Sequence, residues 1–479
     1  MKTEETCFLT IGELSKLIQS RKLSPVELVE SMLCRIDRLN EQLNAYITVF
    51  RDDAVKSAKE AEKAIAGGSY LGPLHGIPVS LKDHYEVKNK PTTYGSPLFA
   101  NYISQKDAAV VERLEAAGAI IIGKANTHEL ALGFPHPLYG DTPNPWNLNK
   151  ASGGSSNGSA VAVSASLCSA SIGSDGGGSI RLPASFCGIT GMKPTYGRVS
   201  SFGAMLSAAM GTVGPLTKCV EDMAFVMTAI SGSDSRDPSS SDIVVPDYAK
   251  LLSGNVKNLR VGVPREYFFD DKVEFEGGTG DQHRVIVIEP EVKEAVKGAI
   301  DTLADMGASI EEVSLPHIKY ALTALFLIGY PGFSSYFEKY LDRVQECCPE
   351  VRSKLEFGSM IPAVAYLKGQ RARRIIIDEL RAEFEKVDVI VTPTTRITAY
   401  DICDKSGEAM TWESTLAVAC TAPFNVTGNP AITIPCGFNS SGLPIGLQVV
   451  GKPFDEATVL RVAQAYEATT EWHLKRPSI

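Results

Sequence analysis

Histidine is scarce in this sequence, and no metal-binding pattern is found among its residues. Only 7 histidines occur in 479 residues, without an H-E-x-x-H motif or a similar cluster. The 10 cysteines are scattered, with no C-x-x-C pair and no histidine at metal-ligand spacing. Metal hydrolases depend on such clusters. The sequence therefore predicts reduced core thiols, no metal and no cofactor.

Long basic segments and long apolar segments are also missing. The net charge is -9 and no block of lysine and arginine stands out, so direct binding to nucleic acid through phosphate contacts is disfavoured. No stretch approaches the roughly 20 apolar residues of a membrane helix, and the acidic amino terminus leads into no signal-type apolar run. We therefore expect a cytoplasmic protein that binds neither nucleic acid nor a membrane.

Hydrophobic and charged residues are present in globular proportions, 44% and 22%. A capping box at 24–27 (SPVE) starts a helical pattern, and about the first 65 residues are expected to be helical. Further along, short apolar runs such as 76–81 and 119–122 alternate with helical segments such as 108–117. This alternation predicts a layered α/β fold.

The segment 151–197 is rich in glycine, serine and alanine, and it contains two serine-bearing turns. Residues 152–158 are SGGSSNG and residues 174–181 are SDGGGSIR. Most strings of this kind are ordinary loops. Three consecutive glycines directly before Ser179, however, leave unshielded backbone N–H groups that can converge on one oxygen, as in an oxyanion hole. This pattern favours Ser179 as a nucleophile.

Lys82 follows the apolar strand-like run 79–81. A lysine at the end of a strand most often lies at the surface with its amine in water. If it is buried instead, its pKa falls because desolvation disfavours the ammonium, and the neutral amine can act as a base near pH 7. Lys82 is therefore a candidate base.

Together these segments resemble the amidase signature enzymes. The resemblance rests on three central strings: GGSS at 153–156, DGGGSIRLPA at 175–184 and CGITGMKPTYGR at 187–198. It extends to three outer strings: GIPVSLKD at 76–83, GNPA at 428–431 and PIGLQ at 444–448. Because these strings are spread over nearly the whole chain, chance agreement is negligible.

The resemblance implies an α/β fold with a large mixed, mostly parallel twisted sheet that helices cover on both faces. It divides the chain into a helical region at 1–66, packed on the core, and a catalytic domain at 67–479. A variable region of helices and loops is expected at 265–385 within that domain.

The resemblance also implies a Ser–cis-Ser–Lys triad, in which Ser179 attacks the carbonyl, Ser155 relays the proton and Lys82 accepts it. The oxyanion hole of the family corresponds to the backbone of four consecutive residues: Gly176, Gly177, Gly178 and Ser179. The peptide between Gly154 and Ser155 is expected to be cis. Asp175 and Arg181 are interpreted as structural supports of the turn.

Two other motifs are weaker. Residues 154–158 fit G-x-S-x-G with Ser156 at the centre, but a nucleophile elbow needs an aspartate and then a histidine downstream, and none of the three downstream histidines has a recognisable setting. Residues 118–124 fit G-x-x-x-x-G-K, but Ala125 stands where a serine or threonine would bind magnesium. We interpret both matches as accidental.

The predicted function is that of an amidohydrolase acting on linear amides through an acyl-enzyme on Ser179, with release of a carboxylate and ammonia or an amine. A carbamate or urea hydrolase is an alternative, because these substrates also pass through a tetrahedral oxyanion. The substrate pocket is predicted at four residues: Phe134, Met210, Gly211 and Tyr330. The expected binding partner is a small-molecule amide substrate, and the expected assembly, if the chain associates, is a homodimer.

A second alternative is the A subunit of the glutamyl-tRNA amidotransferase, which hydrolyses glutamine and passes ammonia to a partner. Its glutamine site resembles an arginine on one helix and an aspartate before an N-L-A-G turn. The matching segments here are 351–354 (VRSK) and 418–428. Val418 takes the aspartate position by spacing, and the arginine is either displaced or replaced. Because valine cannot pair with an α-ammonium, and because Gly176 replaces a threonine common in that subunit, we favour a free-standing amidase.

Overall fold

The computed structural model describes residues 3–206, 210–275, 284–402 and 417–479. The first part of the fold contains three helices: α1 (Ile11–Gln19), α2 (Pro25–Leu43) and α3 (Arg51–Ala66). The predicted capping box starts α2, since Val26 N donates to Ser24 Oγ at 3.0 Å and Ser24 N donates to Glu27 Oε2 at 3.2 Å. The apolar face of α2 is buried in the main core.

The strands alternate with helices through the rest of the chain. In chain order they are β1 (Tyr46–Val49), β2 (Pro78–Lys82), β3 (Ile120–Ala125), β4 (Pro143–Asn144), β5 (Asn147–Ala151), β6 (Ala170–Asp175), β7 (Thr190–Lys193), β8 (Thr212–Thr217), β9 (Arg260–Pro264), β10 (Lys272–Phe275), β11 (Arg284–Val287), β12 (Ser309–Val313), β13 (Val389–Pro393), β14 (Ala431–Phe438) and β15 (Pro444–Gly451). Eleven of them form one sheet in the order β1-β3-β2-β6-β8-β7-β14-β15-β13-β9-β12. The other four form two small hairpins, β4 with β5 and β10 with β11.

This large mixed sheet confirms the predicted fold class, although fewer strand pairs are parallel than expected. Four neighbouring pairs run parallel, β2 with β3 and β6 and β9 with β12 and β13. The other six pairs are antiparallel. Short connections such as the turn between β14 and β15 produce antiparallel pairs, and an alternation of helices and strands does not reveal them.

Both faces of the sheet are covered. Every residue of β2, β6, β8, β13 and β15 is buried. Since successive strand residues point to opposite faces, complete burial requires packing on both sides. The helices after α3 are α4 (Ala109–Ala116), α5 (Asn157–Ser164), α6 (Arg181–Cys187), α7 (Val220–Ile230), α8 (Pro290–Asp305), α9 (Ala321–Tyr336), α10 (Pro349–Met360), α11 (Ala363–Phe384), α12 (Ala422–Thr427) and α13 (Glu456–Glu467).

The amino-terminal region departs from the sequence prediction at one place. Strand β1 lies between α2 and α3 and pairs antiparallel with β3 at the edge of the sheet. The expectation of helix throughout this region is wrong there, because four residues with one buried side chain give too short a pattern to detect.

The boundaries at residues 66 and 67, and the variable region at 265–385, stay predictions. That region contains α8 to α11, and its residues 276–283 lie outside the described part of the chain. Within the described ranges, none of the helices combines the length and the apolar character needed to cross a bilayer.

Candidate active site

One edge of the sheet brings the predicted segments together. Strands β2 and β6 are parallel neighbours, so their carboxyl ends lie at the same edge. Lys82 is the last residue of β2, and Asp175 is the last residue of β6. The three-glycine turn follows β6 directly, and the turn with Ser155 leads into α5, which packs on β2 and β6. The parallel pairing thus places Lys82 beside both serine-bearing turns.

The amine of Lys82 is fully buried and contacts two serine hydroxyls. Lys82 Nζ lies 2.6 Å from Ser155 Oγ and 3.0 Å from Ser174 Oγ. Burial lowers the pKa of Lys82 well below its usual value, although the negative charge of Asp175 opposes this shift. The neutral amine, which is the form that a base requires, is thereby favoured. Sequence analysis did not predict the contact with Ser174. The one feature of the sequence that could have indicated it is that Ser174 directly precedes the D-G-G-G-S string.

Ser155 is held by its backbone, and its peptide with Gly154 is cis, as the resemblance implies. Its carbonyl accepts hydrogen bonds from Thr127 Oγ1 at 3.0 Å and from His128 N at 3.2 Å. The His128 ring packs directly on Gly154, where an added Cβ would lie 2.0 Å from His128 Cε1. These contacts require glycine at position 154 and fix the Ser155 backbone while its hydroxyl meets Lys82.

Ser179 lines the same cavity as Ser155, together with Gly176 and Gly177. Among contacts between described residues, the N–H groups of Gly176, Gly177 and Ser179 have no protein acceptor. Gly178 differs, because its N–H donates to Asp175 Oδ1 at 2.7 Å. The prediction that Gly178 contributes to the oxyanion hole therefore does not fit this geometry, since the Asp175 carboxylate already takes its N–H.

A buried ion pair supports the three-glycine turn. Arg181 Nη2 lies 2.9 Å from Asp175 Oδ1, and both side chains are fully buried. Arg181 Nη1 also donates to Gln448 Oε1 at 2.7 Å, and Arg181 Nη2 donates to Asn425 Oδ1 at 2.6 Å. Burial alone would raise the pKa of Asp175, but the charge and hydrogen bonds of Arg181 and the hydrogen bond of Asn425 hold it below its usual range. The carboxylate thus stays ionised and fixes the turn that carries Ser179.

The cavity in front of the two serines has a volume of about 290 Å³. All four residues predicted for the substrate pocket line it: Phe134, Met210, Gly211 and Tyr330. The wall is completed chiefly by apolar side chains, which include Leu132, Leu182, Met205, Leu206, Leu325, Phe326 and Phe333. Binding of substrate by these residues remains a prediction.

Two further lining residues, Val418 and Lys354, determine where the described wall is neutral and where it is charged. Val418, which takes the position of the aspartate in the amidotransferase subunit, lines the cavity. Lys354 lines it as well, and sequence analysis left its location open. Its side chain reaches the cavity from α10, and Lys354 Nζ donates to the Leu132 carbonyl at 2.6 Å.

The alternative nucleophile, Ser156, does not reach the cavity. It is fully buried, and its hydroxyl donates to the Ser174 carbonyl at 3.2 Å. The nucleophile-elbow interpretation therefore has no support in the structure. Residues 120–125, which contain most of the phosphate-loop match, form strand β3 as expected.

The chain is similar to known proteins over almost its full length. It is 40% identical to the A subunit of the glutamyl-tRNA(Gln) amidotransferase of Geotalea daltonii, over 98% of this chain and 99% of the relative. A solved structure described as a vestigial protein complex that reveals the evolutionary origins of an s-triazine catabolic enzyme is 30% identical, with a TM-score of 0.88 and coverage of 98% and 100%. The 6-aminohexanoate cyclic dimer hydrolase is 27% identical, with a TM-score of 0.85 and coverage of 98% and 99%.

These relatives correct two predictions. The expectation that nucleic acid plays no part is contradicted, since the Geotalea relative belongs to an amidotransferase named for glutamyl-tRNA(Gln). The lack of a basic block in the sequence argues only against phosphate contacts made by this chain itself. It does not test whether partner subunits bind nucleic acid. The preference for a free-standing amidase also loses support, because further curated relatives at 37–39% identity are the same component of that amidotransferase.

A family model covers most of the chain. The model described as Amidase matches residues 27–460. This span includes the turn with Ser155, the turn with Ser179 and the strand that ends at Lys82. The chain therefore belongs to the amidase signature family of amidohydrolases.

Proposed function

We propose that this chain hydrolyses a carboxylic amide by nucleophilic attack of Ser179, with Ser155 passing the proton to Lys82. The observation that carries the proposal is the 2.6 Å contact between Lys82 Nζ and Ser155 Oγ at the cavity that Ser179 lines. Among the described residues, the fully buried amine of Lys82 has no carboxylate at hydrogen-bond distance, which favours its neutral form, and a neutral amine can accept the proton of a serine.

The reaction follows from this geometry in two halves. Ser179 Oγ attacks the carbonyl carbon while its proton moves through Ser155 Oγ to Lys82 Nζ. The oxygen that gains negative charge is stabilised by the N–H groups of Gly176, Gly177 and Ser179, which have no acceptor among the described residues. The proton returns through Ser155 to the leaving nitrogen, and the C–N bond breaks to give an ester on Ser179. Water then cleaves this ester by the same proton path.

A fluorophosphonate is expected to label the protein once, at Ser179, because such probes trap activated serines. The measurement is mass spectrometry of the labelled chain. Lys150 and Arg181 bound a tryptic peptide that contains both Ser156 and Ser179, so fragment ions must locate the label. The matched controls are Ser179→Ala, which should abolish labelling, and Ser156→Ala, which should keep it. A label located on Ser156 would contradict the assignment.

The relatives support glutamine hydrolysis within an amidotransferase as the first candidate for the role of this amidase. The identity of 40% extends over 98% of this chain and 99% of the Geotalea relative. If this role is correct, the tagged chain expressed in its own host should co-purify with partner subunits. Glutamine should then be hydrolysed in a saturable manner, and Ser179→Ala should abolish the activity.

A hydrolase of other amides is the second candidate, and the cavity wall favours it. Val418 offers no charge to a substrate ammonium, and no aspartate or glutamate is found among the described residues of the wall. In this case the chain purified alone should hydrolyse amides and use glutamine poorly. A panel of aliphatic amides, aryl amides, carbamates, ureas and glutamine, measured as kcat/KM, separates the two candidates.

A further inference from the structure

The ammonium of Lys354 lines the cavity, and the described lining residues include no carboxylate. Lys354 is the one side chain among the described lining residues that is a lysine, arginine, aspartate or glutamate. An ammonium has three N–H donors, and the described residues supply one acceptor, the Leu132 carbonyl at 2.6 Å. The hydrogen bonds and ion pairs between described residues join Lys354 Nζ to this carbonyl and to no carboxylate. Among the described residues, two of its three N–H donors therefore have no acceptor.

A cation in a cavity is unfavourable when no carboxylate lies at hydrogen-bond distance, as holds for Lys354 among the described residues, and an anionic ligand would relieve this cost. The free energy of a desolvated charge rises steeply when no opposite charge is near. Burial accordingly lowers the pKa of Lys354 to about 8, and the charge of Glu350 offsets only part of this effect. Because this value lies above neutral pH, the side chain is mostly protonated at pH 7. The cation can thus attract an anionic group that enters the cavity.

The rest of the wall discriminates against an ammonium. Val418 is apolar, and the other described lining side chains are mainly leucine, methionine, phenylalanine and tyrosine. A substrate ammonium in this cavity would lose its water without gaining a carboxylate, and it would stand in the same cavity as Lys354. The wall is therefore complementary to a negative group on an otherwise apolar acyl chain.

We infer that Lys354 binds a carboxylate on the acyl part of the substrate, so that the preferred substrate is the monoamide of a dicarboxylic acid without an α-ammonium. This inference rests on the proposed function. The carboxylate would accept two N–H donors of Lys354, while the amide end of the chain lies at Ser179. Glutamine carries the carboxylate but adds an ammonium for which the described wall provides no partner.

The test compares kcat/KM for amides of equal carbon number that end in a carboxylate or in a methyl group. The anionic series is succinamate, glutaramate and adipamate, and the neutral series is butyramide, valeramide and hexanamide. The favoured anionic amide should exceed its neutral counterpart by about 10- to 100-fold, as expected for a hydrogen bond between charged groups. Glutaramate, which is glutamine without its amino group, should also exceed glutamine.

Substitutions at Lys354 test whether the preference for anionic amides depends on the charge of this side chain. Lys354→Met should reduce the ratio of anionic to neutral kcat/KM to about 1 through a higher KM for the anionic amide, and Lys354→Arg should retain most of the ratio. Arg352→Met is the matched control, because Arg352 is a cation on the same helix that does not line the cavity. It should keep the wild-type ratio.

The inference is overturned if anionic and neutral amides are equal in the wild type, if Lys354→Met keeps the ratio, or if glutamine exceeds glutaramate. Thermal unfolding of each variant shows whether it is folded, and the ratio of two substrates on one enzyme is independent of the active fraction. Hydrolysis that depends on Ser179 but shows no charge preference would refute this inference alone. Hydrolysis that survives Ser179→Ala would refute the proposed function instead.

Discussion

Replacing Lys82 with alanine is expected to lower kcat/KM for amide hydrolysis by about 10²- to 10⁴-fold, because one change removes both the base and the acid of the proposed mechanism. The measurement is kcat/KM on a matched amide and ester. The ester should lose less, since its leaving oxygen needs less help from a proton than the leaving nitrogen of an amide. Near-normal amide turnover by Lys82→Ala would show that the base has been misassigned.

Ser155→Ala should resemble Lys82→Ala, because it interrupts the proton path without removing the nucleophile. The double variant should lose little more than either single variant, since groups that act as one unit are not additive. Strictly additive losses would contradict the relay. Ser156→Ala is the neighbouring control, because Ser156 Oγ bonds to the Ser174 carbonyl and does not line the cavity.

The pH dependence of kcat/KM is a further test of Lys82 as the base. Lys82 must lose its proton before it can accept one, so activity should rise with pH through a single ionisation and stay high into the alkaline range. Burial lowers the pKa of Lys82, and the midpoint should therefore lie below the ordinary lysine value of about 10.4. A profile of kcat/KM against pH checks this, and the ionisation should disappear in Lys82→Ala.

Gly178→Ala is expected to lower both the unfolding free energy and the rate of amide hydrolysis. Gly178 has a φ of +136°, and an added Cβ would lie 2.2 Å from Thr421 Oγ1. The strained backbone alone should cost about 1–3 kcal/mol of unfolding free energy, and the clash adds to this amount. Because the displaced turn carries Ser179, amide hydrolysis should also fall at temperatures where the variant is still folded. Thermal unfolding and kcat/KM below the unfolding transition measure the two effects.

Gly176→Ala is the matched control for stability within the same turn. A Cβ at Gly176 would meet no atom within 4 Å, and Gly176 is not among the glycines with positive φ. Its unfolding free energy should stay within about 0.5 kcal/mol of the wild type. Equal losses of stability in both variants would show that the turn does not have the described conformation.

The amidase signature strings allowed much of this site to be predicted from the sequence alone. The three glycines before Ser179 pointed to it as a nucleophile, and Lys82 was a candidate base at the end of an apolar run. The role of Ser155 and the triad as a whole followed from the resemblance of these strings to the amidase signature enzymes. The capping box of α2 and the buried strand β3 were predictable for a similar reason, since a cap and an apolar run are local patterns. Strand β1 was not, because its four residues carry one buried side chain.

Only the tertiary structure decided which distant groups meet at the cavity. Parallel pairing of β2 with β6 places Lys82 beside Ser174, although these residues lie 92 positions apart in the chain. The hydrogen bond from Gly178 N to Asp175 likewise depends on how the turn closes, and it removes one N–H from the predicted oxyanion hole.

The sequence by itself determined the family, the fold class and the residues proposed for the chemistry, because these depend on local strings that tolerate few substitutions. It did not determine the charge of the substrate cavity. Val418 and Lys354 lie 64 positions apart in the chain, and each is an ordinary residue in its own local pattern. Their meaning arises only when folding places both in one wall, whose described residues include the Lys354 ammonium and no carboxylate.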